Sequence, residues 1–218
     1  MIEAVIFDLD GTLVDREMGA RNWLRAHYEK LPSPNGDFSD FYQDFQKLDA
    51  RGHTSKLETF AELAQIGDWK QTPEEIWADY RRHVWRHCEL FPDVITTLNS
   101  LRKSGLTLAI LTNGTVECQQ GKIEALGLDA LVDVVVISER EGCKKPAPEL
   151  FWRACEKLKK KPENCLMIGD NFKADVQGAL DAGLEAIFLQ HSSSDDSIPN
   201  VPTIHAMSEV VSFLDSIT

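Results

Sequence analysis

The stretch AVIFDLDGT (residues 4–12) contains a short apolar run that leads into two aspartates separated by one residue. The run 4–9 is typical of a buried strand. Similar apolar runs follow at 106–111, 134–137, 166–168 and 186–189. Helical patterns lie between the later runs, and most of them end at a glycine, which stops a helix. Strands that alternate with helices predict a doubly wound α/β fold with a parallel sheet.

Residues 15–91 interrupt this alternation and carry only helical patterns. Ser55 and Thr72 each precede a glutamate by three positions, which matches the capping box at the start of a helix. The sequence therefore predicts two domains: an α/β core of residues 1–14 and 92–218, and an inserted all-α helical domain of residues 15–91.

The composition excludes several classes of protein. The chain has 218 residues, 43% of them hydrophobic, which predicts a packed core. Its 23 Lys and Arg residues against 35 Asp and Glu residues give a net charge of −12, which disfavours nucleic acid as a partner. Its apolar runs fall far short of the roughly 20 residues of a membrane-spanning helix, so we expect no membrane partner. The five cysteines include no C-x-x-C pair, so we expect reduced thiols and a cytoplasmic protein.

Polar side chains concentrate at the carboxyl ends of the predicted strands, the edge at which open α/β sheets bind ligands. They are Asp8, Asp10 and Thr12 at the end of the first run, Thr112, Asn113 and Gly114 after the second, Lys145 after the third, and Asp170 and Asp175 after the fourth. So many carboxylates in one cleft are costly unless positive charge compensates them. Carboxylate oxygens prefer hard divalent cations, so this pattern predicts an Mg²⁺ site with a lysine beside it.

Four segments, in this order, resemble the four motifs of the haloacid dehalogenase (HAD) superfamily. They are DLDGT (8–12), TNG (112–114), KP (145–146) and GD followed by Asp175 (169–175). The helical insertion directly after the first motif is similar to the cap domain of that superfamily. The chain is therefore identified as a member of it, in the phosphatase-like branch, and the resemblance implies a Rossmann-like core with an inserted helical cap.

The resemblance also implies catalytic roles. Asp8 would be the nucleophile that forms an aspartyl-phosphate, and Asp10 the general acid and base. The neighbouring acids would raise the pKa of Asp10, as an acid needs. Mg²⁺ would be held by Asp8, the backbone carbonyl of Asp10, and Asp170.

Other residues of the motifs would surround the phosphate. Thr112 and Lys145 would bind the transferring oxygens, and backbone N–H groups around Asn113 and Gly114 would be further donors. Asp175 would orient Lys145 or a metal-bound water. Thr12 is also expected to lie beside the phosphate or the metal ligands.

The expected activity is that of a phosphatase acting on a small phosphorylated metabolite, since Asp10 would be superfluous for cleaving a carbon–halogen bond. A sugar-phosphate mutase, a phosphonatase and a non-catalytic phosphate-binding or signalling protein remain alternatives. Specificity should lie in the cap, where the polar turn around Arg51, His53 and Lys56 provides candidate substrate contacts. The sequence is compatible with a monomer or a homodimer.

Overall fold

The computed structural model describes residues 1–31, 36–50, 54–191 and 201–216. The chain divides into two compact units: Met1–Arg16 together with Glu89–Thr218, and Glu17–Cys88. In the described ranges, every helix is too short or too polar to cross a membrane.

The first unit is built on parallel strands. The strands described are β1 (Ala4–Phe7), β2 (Val14–Asp15), β3 (Glu89–Leu90), β4 (Thr107–Thr112), β5 (Val134–Ile137), β6 (Cys165–Gly169), β7 (Glu185–Leu189) and β8 (Thr203–Ile204). Six of them form one sheet in the order β5-β4-β1-β6-β7-β8, with every neighbouring pair parallel. The prediction of a doubly wound parallel sheet is confirmed.

Strand β1 lies at the centre of this sheet, and all four of its residues are buried. Its continuously apolar sequence fits a strand that is covered on both faces. Its two neighbours in the sheet are β4 on one side and β6 on the other. This arrangement creates the crevice at the carboxyl ends of β4, β1 and β6 in which open α/β sheets bind ligands.

The helices cover the sheet or form the second unit. In chain order they are α1 (Arg16–Tyr28), α2 (Phe38–Asp49), α3 (Lys56–Ile66), α4 (Pro73–His83), α5 (Val94–Lys103), α6 (Val116–Ala125), α7 (Ser138–Glu141), α8 (Pro148–Leu158), α9 (Gly178–Asp181) and α10 (Glu209–Ser216). Helix α8 packs on the sheet through one apolar face. The buried residues of this face recur at helical spacing from Leu150 to Leu158 and belong to the hydrophobic core.

One helix of the first unit differs from its sequence pattern. The spacing predicts a regular helix from Ala174 to Ala182, but residues Phe172–Gln177 form a wider π-helical turn, which α9 then follows. Gly169 contributes to this local geometry, because a Cβ at that position would collide with the Asp175 carboxyl group. The π-helical turn therefore brings Asp175 directly against the end of β6.

The second unit is entirely helical in the residues described. Its core centres on the fully buried Trp23, whose ring packs against Phe60 and Tyr80. The predicted capping box at Thr72 is confirmed, since its hydroxyl accepts from the backbone of Glu75 and the Glu75 carboxylate accepts in return. The box predicted at Ser55 is wrong: its side chain makes no capping bond, and its carbonyl accepts instead from Thr59.

Candidate active site

Three neighbouring strands deliver the acidic and hydroxyl groups of the site. Asp8 directly follows β1, Thr112 is the last residue of β4, and Asp170 directly follows β6. Because β1 lies between β4 and β6 and all three run parallel, these residues share one edge of the sheet. The sequence pattern and the strand order together account for their proximity.

A buried lysine pairs with two of the aspartates. The Nζ of Lys145 lies 2.6 Å from Oδ1 of Asp8 and 2.6 Å from Oδ1 of Asp175, and it donates to the carbonyl of Leu111 at 2.8 Å. Burial alone would lower the pKa of Lys145, but the charges of Asp175 and Asp8 outweigh it and raise this pKa. The two aspartates therefore favour the protonated, positively charged form of Lys145.

Asp8, Asp170 and Asp175 each place a carboxylate oxygen within 4.8 Å of the others. Burial, together with the charges of Asp175 and Asp170, raises the pKa of Asp8 in spite of Lys145. Burial and the charge of Asp175 likewise raise the pKa of Asp170, to about 6. Three carboxylates thus face one ammonium, and a hard divalent cation such as Mg²⁺ fits both this donor set and its surplus negative charge.

Gly11 lets the backbone of the first motif approach Asp170. Its φ of +88° lies in the left-handed region, and a Cβ there would fall well inside van der Waals contact with the Asp170 carboxylate. A side chain at position 11 would therefore displace one of the carboxylates that fit the cation.

The carboxylate of Asp10 contacts a different lysine from that of Asp8. The Nζ of Lys122 lies 2.6 and 2.8 Å from its two oxygens, and the side-chain amide of Gln119 donates to Oδ2 at 2.8 Å. Burial would raise the pKa of Asp10, but the charges of Lys122 and Arg16 and these hydrogen bonds keep it below its usual value. The expectation of a raised pKa at Asp10 is therefore wrong, because the sequence pattern did not reveal Lys122.

Asn113 holds the backbone of Lys145 in place. Its Nδ2 donates to the Lys145 carbonyl at 3.0 Å, and the Lys145 N–H donates to its Oδ1 at 2.9 Å. The N–H of Gly114 donates to Oγ of Ser138 at 3.0 Å, and phosphate binding by backbone N–H groups around Asn113 and Gly114 stays a prediction. The buried hydroxyl of Thr12 has no hydrogen-bond partner among the described residues.

Of the three candidate substrate contacts, the structure describes only Lys56. Arg51 and His53 fall outside the described residues. Lys56 is described, and its Nζ pairs closely with the carboxylate of Asp49 at the end of α2. A contact between Lys56 and substrate stays a prediction.

Gln119 and Lys122 are the site residues that the motifs do not indicate. They lie three positions apart on α6, so they share one face of the helix, between the buried Cys118 and Ile123. The sequence carries no clear signal for them, since polar residues in a helical pattern are ordinarily exposed.

Comparisons with known proteins agree with this geometry. A family model described as a haloacid dehalogenase-like hydrolase matches residues 2–183. The chain is 29% identical to the N-acylneuraminate-9-phosphatase of Rattus norvegicus, over 94% of this chain and 89% of that protein. It is 30% identical to the ribulose-1,5-bisphosphate 5-phosphatase of Halopiger xanaduensis, over 90% of this chain and 88% of that protein. The magnesium-bound HAD hydrolase YfnB of Bacillus subtilis has the same fold, with a TM-score of 0.82 at 22% identity, covering 98% of this chain and 99% of that chain.

Proposed function

The chain belongs to the haloacid dehalogenase-like hydrolases, and we propose that it is an Mg²⁺-dependent phosphatase that hydrolyses a small phosphorylated metabolite through an aspartyl-phosphate on Asp8. The observation that carries this proposal is the position of Asp8, at the end of the central strand and beside both Lys145 and the carboxylate cluster. The two relatives named above are phosphatases, which favours hydrolysis of a phosphate ester over mutase chemistry or cleavage of a carbon–phosphorus bond.

In the first step, a carboxylate oxygen of Asp8 attacks phosphorus, and the bond to the leaving oxygen breaks. Lys145 and the hydroxyl of Thr112 stabilise the negative charge on the transferring oxygens. Asp10 supplies a proton to the leaving oxygen. Although the contacts of Asp10 favour its ionised form, the negative charge of a bound phosphate favours the protonated form that this step needs.

In the second step, water hydrolyses the aspartyl-phosphate. Asp10, now ionised, removes a proton from the attacking water, and the oxygen of that water bonds to phosphorus. The bond from phosphorus to the Asp8 oxygen then breaks, which regenerates the Asp8 carboxylate and releases inorganic phosphate. Lys122 and Gln119 stabilise the ionised form of Asp10 that this step requires.

The metal site is part of the proposal. Asp8, Asp170 and the backbone carbonyl of Asp10 would hold Mg²⁺, and Asp175 would keep Lys145 in position. When bound, Mg²⁺ supplies the positive charge that reduces repulsion between the carboxylates and a phosphate. The clustered oxygen donors and the close approach of Gly11 to Asp170 support this assignment.

The names of two relatives support a proposal for the substrate class. By name, the relatives from Rattus norvegicus and Halopiger xanaduensis act on phosphorylated sugars or sugar acids, and we propose a substrate of that class. We further propose that residues 15–91 form the cap that recognises its organic part, with Arg51, His53 and Lys56 as candidate contacts. The cytoplasmic location and the monomeric or homodimeric state stay predictions.

A panel of small phosphorylated sugars, sugar acids and nucleotides tests the proposal. Phosphate release would be measured with Mg²⁺ and with EDTA, and Asp8→Asn would serve as the blank. We expect Mg²⁺-dependent release that is strongest for one or two sugar phosphates. A purified, folded enzyme that binds Mg²⁺ but releases no phosphate from any of them would contradict the proposed function.

A further inference from the structure

Two side chains of α6 hold the carboxylate of Asp10 from one side. Gln119 and Lys122 are only 2% and 4% exposed, although both are polar and one is charged. Burying an amide and an ammonium is costly unless each finds partners, so their contacts define their role. Those contacts include Asp10, Thr112 and each other.

The hydrogen bonds distinguish the two oxygens of Asp10. Oδ2 accepts from both Lys122 and Gln119, at 2.8 Å each, whereas Oδ1 accepts from a single donor among the described residues, Lys122 at 2.6 Å. A carboxylate oxygen has two lone pairs, so Oδ2 is saturated and Oδ1 retains one. Oδ1 is therefore the oxygen that can exchange a proton with a leaving group or a water.

Gln119 also contacts the phosphate-binding threonine. Its Nε2 lies 2.8 Å from Asp10 and 2.6 Å from Oγ1 of Thr112, and its Oε1 accepts from Lys122 at 3.0 Å. The Thr112 hydroxyl accepts from Gln119 and donates only at 3.4 Å to the Asn113 carbonyl, a long hydrogen bond that a phosphoryl oxygen would replace. Gly114 makes room for this arrangement, since a Cβ there would lie 2.9 Å from Cγ of Gln119.

We propose that Gln119 and Lys122 are positioning residues that aim Oδ1 of Asp10 at the departing oxygen and at the hydrolytic water, while Gln119 keeps Thr112 oriented as a donor. This inference rests on the proposed phosphatase reaction. As the phosphorus–oxygen bond breaks, the proton on Oδ1 passes to the leaving oxygen. In the second step, Oδ1 takes a proton from water as the oxygen of that water bonds to phosphorus. Neither Gln119 nor Lys122 gains or loses a proton overall.

Dependence on the leaving group tests this role. Gln119→Leu and Lys122→Met would be compared with the native enzyme on 4-nitrophenyl phosphate, whose leaving oxygen needs little protonation, and on glycerol phosphate, whose leaving oxygen needs a proton. General acid catalysis contributes about 100-fold to 10,000-fold, so we expect kcat/KM to fall about 10-fold to 100-fold further for glycerol phosphate than for 4-nitrophenyl phosphate. A merely structural role would lower both values equally.

A matched control and a double variant sharpen the test. Gln120→Leu alters the next residue of the same helix, whose amide bonds to Glu124, and should leave the ratio of the two substrates unchanged. In an Asp10→Asn background, Gln119→Leu should no longer change that ratio, because the group through which it acts is absent.

Each outcome bears on a separate claim. If the native enzyme hydrolyses neither substrate nor any member of the sugar-phosphate panel, the proposed function fails and this inference fails with it. If the native enzyme is active but both folded variants lose kcat/KM on the two substrates by the same factor, only the positioning role is overturned. If Lys122→Met unfolds because it leaves Asp10 unpaired, the uncharged replacement Gln119→Leu still decides the question.

Discussion

The Nζ of Lys145 lies 2.6 Å from Oδ1 of Asp8, in an ion pair that is almost completely buried. The same ammonium contacts Asp175, so a single cation compensates two carboxylates at the end of the central strand. Lys145 therefore has two functions that can be measured separately: it stabilises the folded state, and it stabilises charge during the proposed reaction.

Replacing Lys145 tests both functions. Lys145→Met leaves two buried carboxylates without their partner, a change that costs about 3–5 kcal/mol in comparable sites. We expect the free energy of unfolding in EDTA to fall by that amount, measured by urea denaturation, and phosphatase activity to be lost. Lys144→Met is the control: its side chain is exposed, so we expect stability to change by less than about 0.5 kcal/mol. Equal effects of the two substitutions would contradict the assignment of the third motif to Lys145.

Two glycines allow the effect of disturbing the proposed metal site to be measured apart from the effect of backbone strain. Gly11 and Gly105 have φ values of +88° and +83°, but a Cβ would collide with Asp170 at Gly11 and meet nothing at Gly105. Both alanine variants should lose about 1–2 kcal/mol from the left-handed backbone. We expect that only Gly11→Ala also loses the stabilisation by Mg²⁺, because its Cβ displaces the Asp170 carboxylate. Its activity should fall by about 100-fold for the same reason. Thermal melts with and without Mg²⁺ measure how much Mg²⁺ stabilises each variant. An equal rise in Tm for Gly11→Ala and Gly105→Ala would contradict the proposed contact between Gly11 and the metal site.

Asp170 should act through the metal. A ligand present at 100 times its Kd stabilises a protein by about 2.7 kcal/mol, so Mg²⁺ should raise the Tm of the native enzyme. We expect Asp170→Asn to need a much higher Mg²⁺ concentration for the same rise and to regain activity as Mg²⁺ is increased. Asp129→Asn is the control, because it removes the same charge from an exposed site. Its Tm should depend on the Mg²⁺ concentration as that of the native enzyme does. An Mg²⁺ titration of Asp170→Asn that matches the native one would exclude Asp170 as a ligand.

The cap assignment predicts a change in specificity. Arg51→Ala should alter the ranking of sugar phosphates by kcat/KM more than it alters the rate with 4-nitrophenyl phosphate, since that substrate presents little for a cap to recognise. The substrate panel measures this directly. A uniform loss across all substrates would argue that Arg51 is not a specificity residue.

The sheet and its edge could be predicted because the relevant signals are local. Buried strands such as β1 are continuous apolar runs, and the residue that follows such a run lies at the carboxyl end of the strand. Asp8 and Asp170 could therefore be placed at one edge before the strand order was known. The parallel orientation of β4, β1 and β6 follows from the alternation of strands and helices, whereas their order in the sheet comes from the structure.

The contacts of Asp10 could not be predicted, because they depend on the rotation of α6 about its own axis. A polar residue in a helical pattern is ordinarily exposed, and only the packing of α6 shows that Gln119 and Lys122 are buried. The direction of the Asp10 pKa shift changes as a result. The π-helical turn before α9 was missed for a similar reason, since it reflects the close packing of Asp175 on Gly169.

The central claim is that Asp8 becomes phosphorylated during turnover. The most direct measurement is the intact mass of enzyme quenched in acid while it hydrolyses a substrate, followed by peptide mapping. We predict a mass increase of one phosphoryl group, located on the peptide that contains Asp8, seen with native enzyme in Mg²⁺ and absent from Asp8→Asn and from samples in EDTA. Full phosphatase activity in Asp8→Asn, or a phosphoryl group on another residue, would contradict the account.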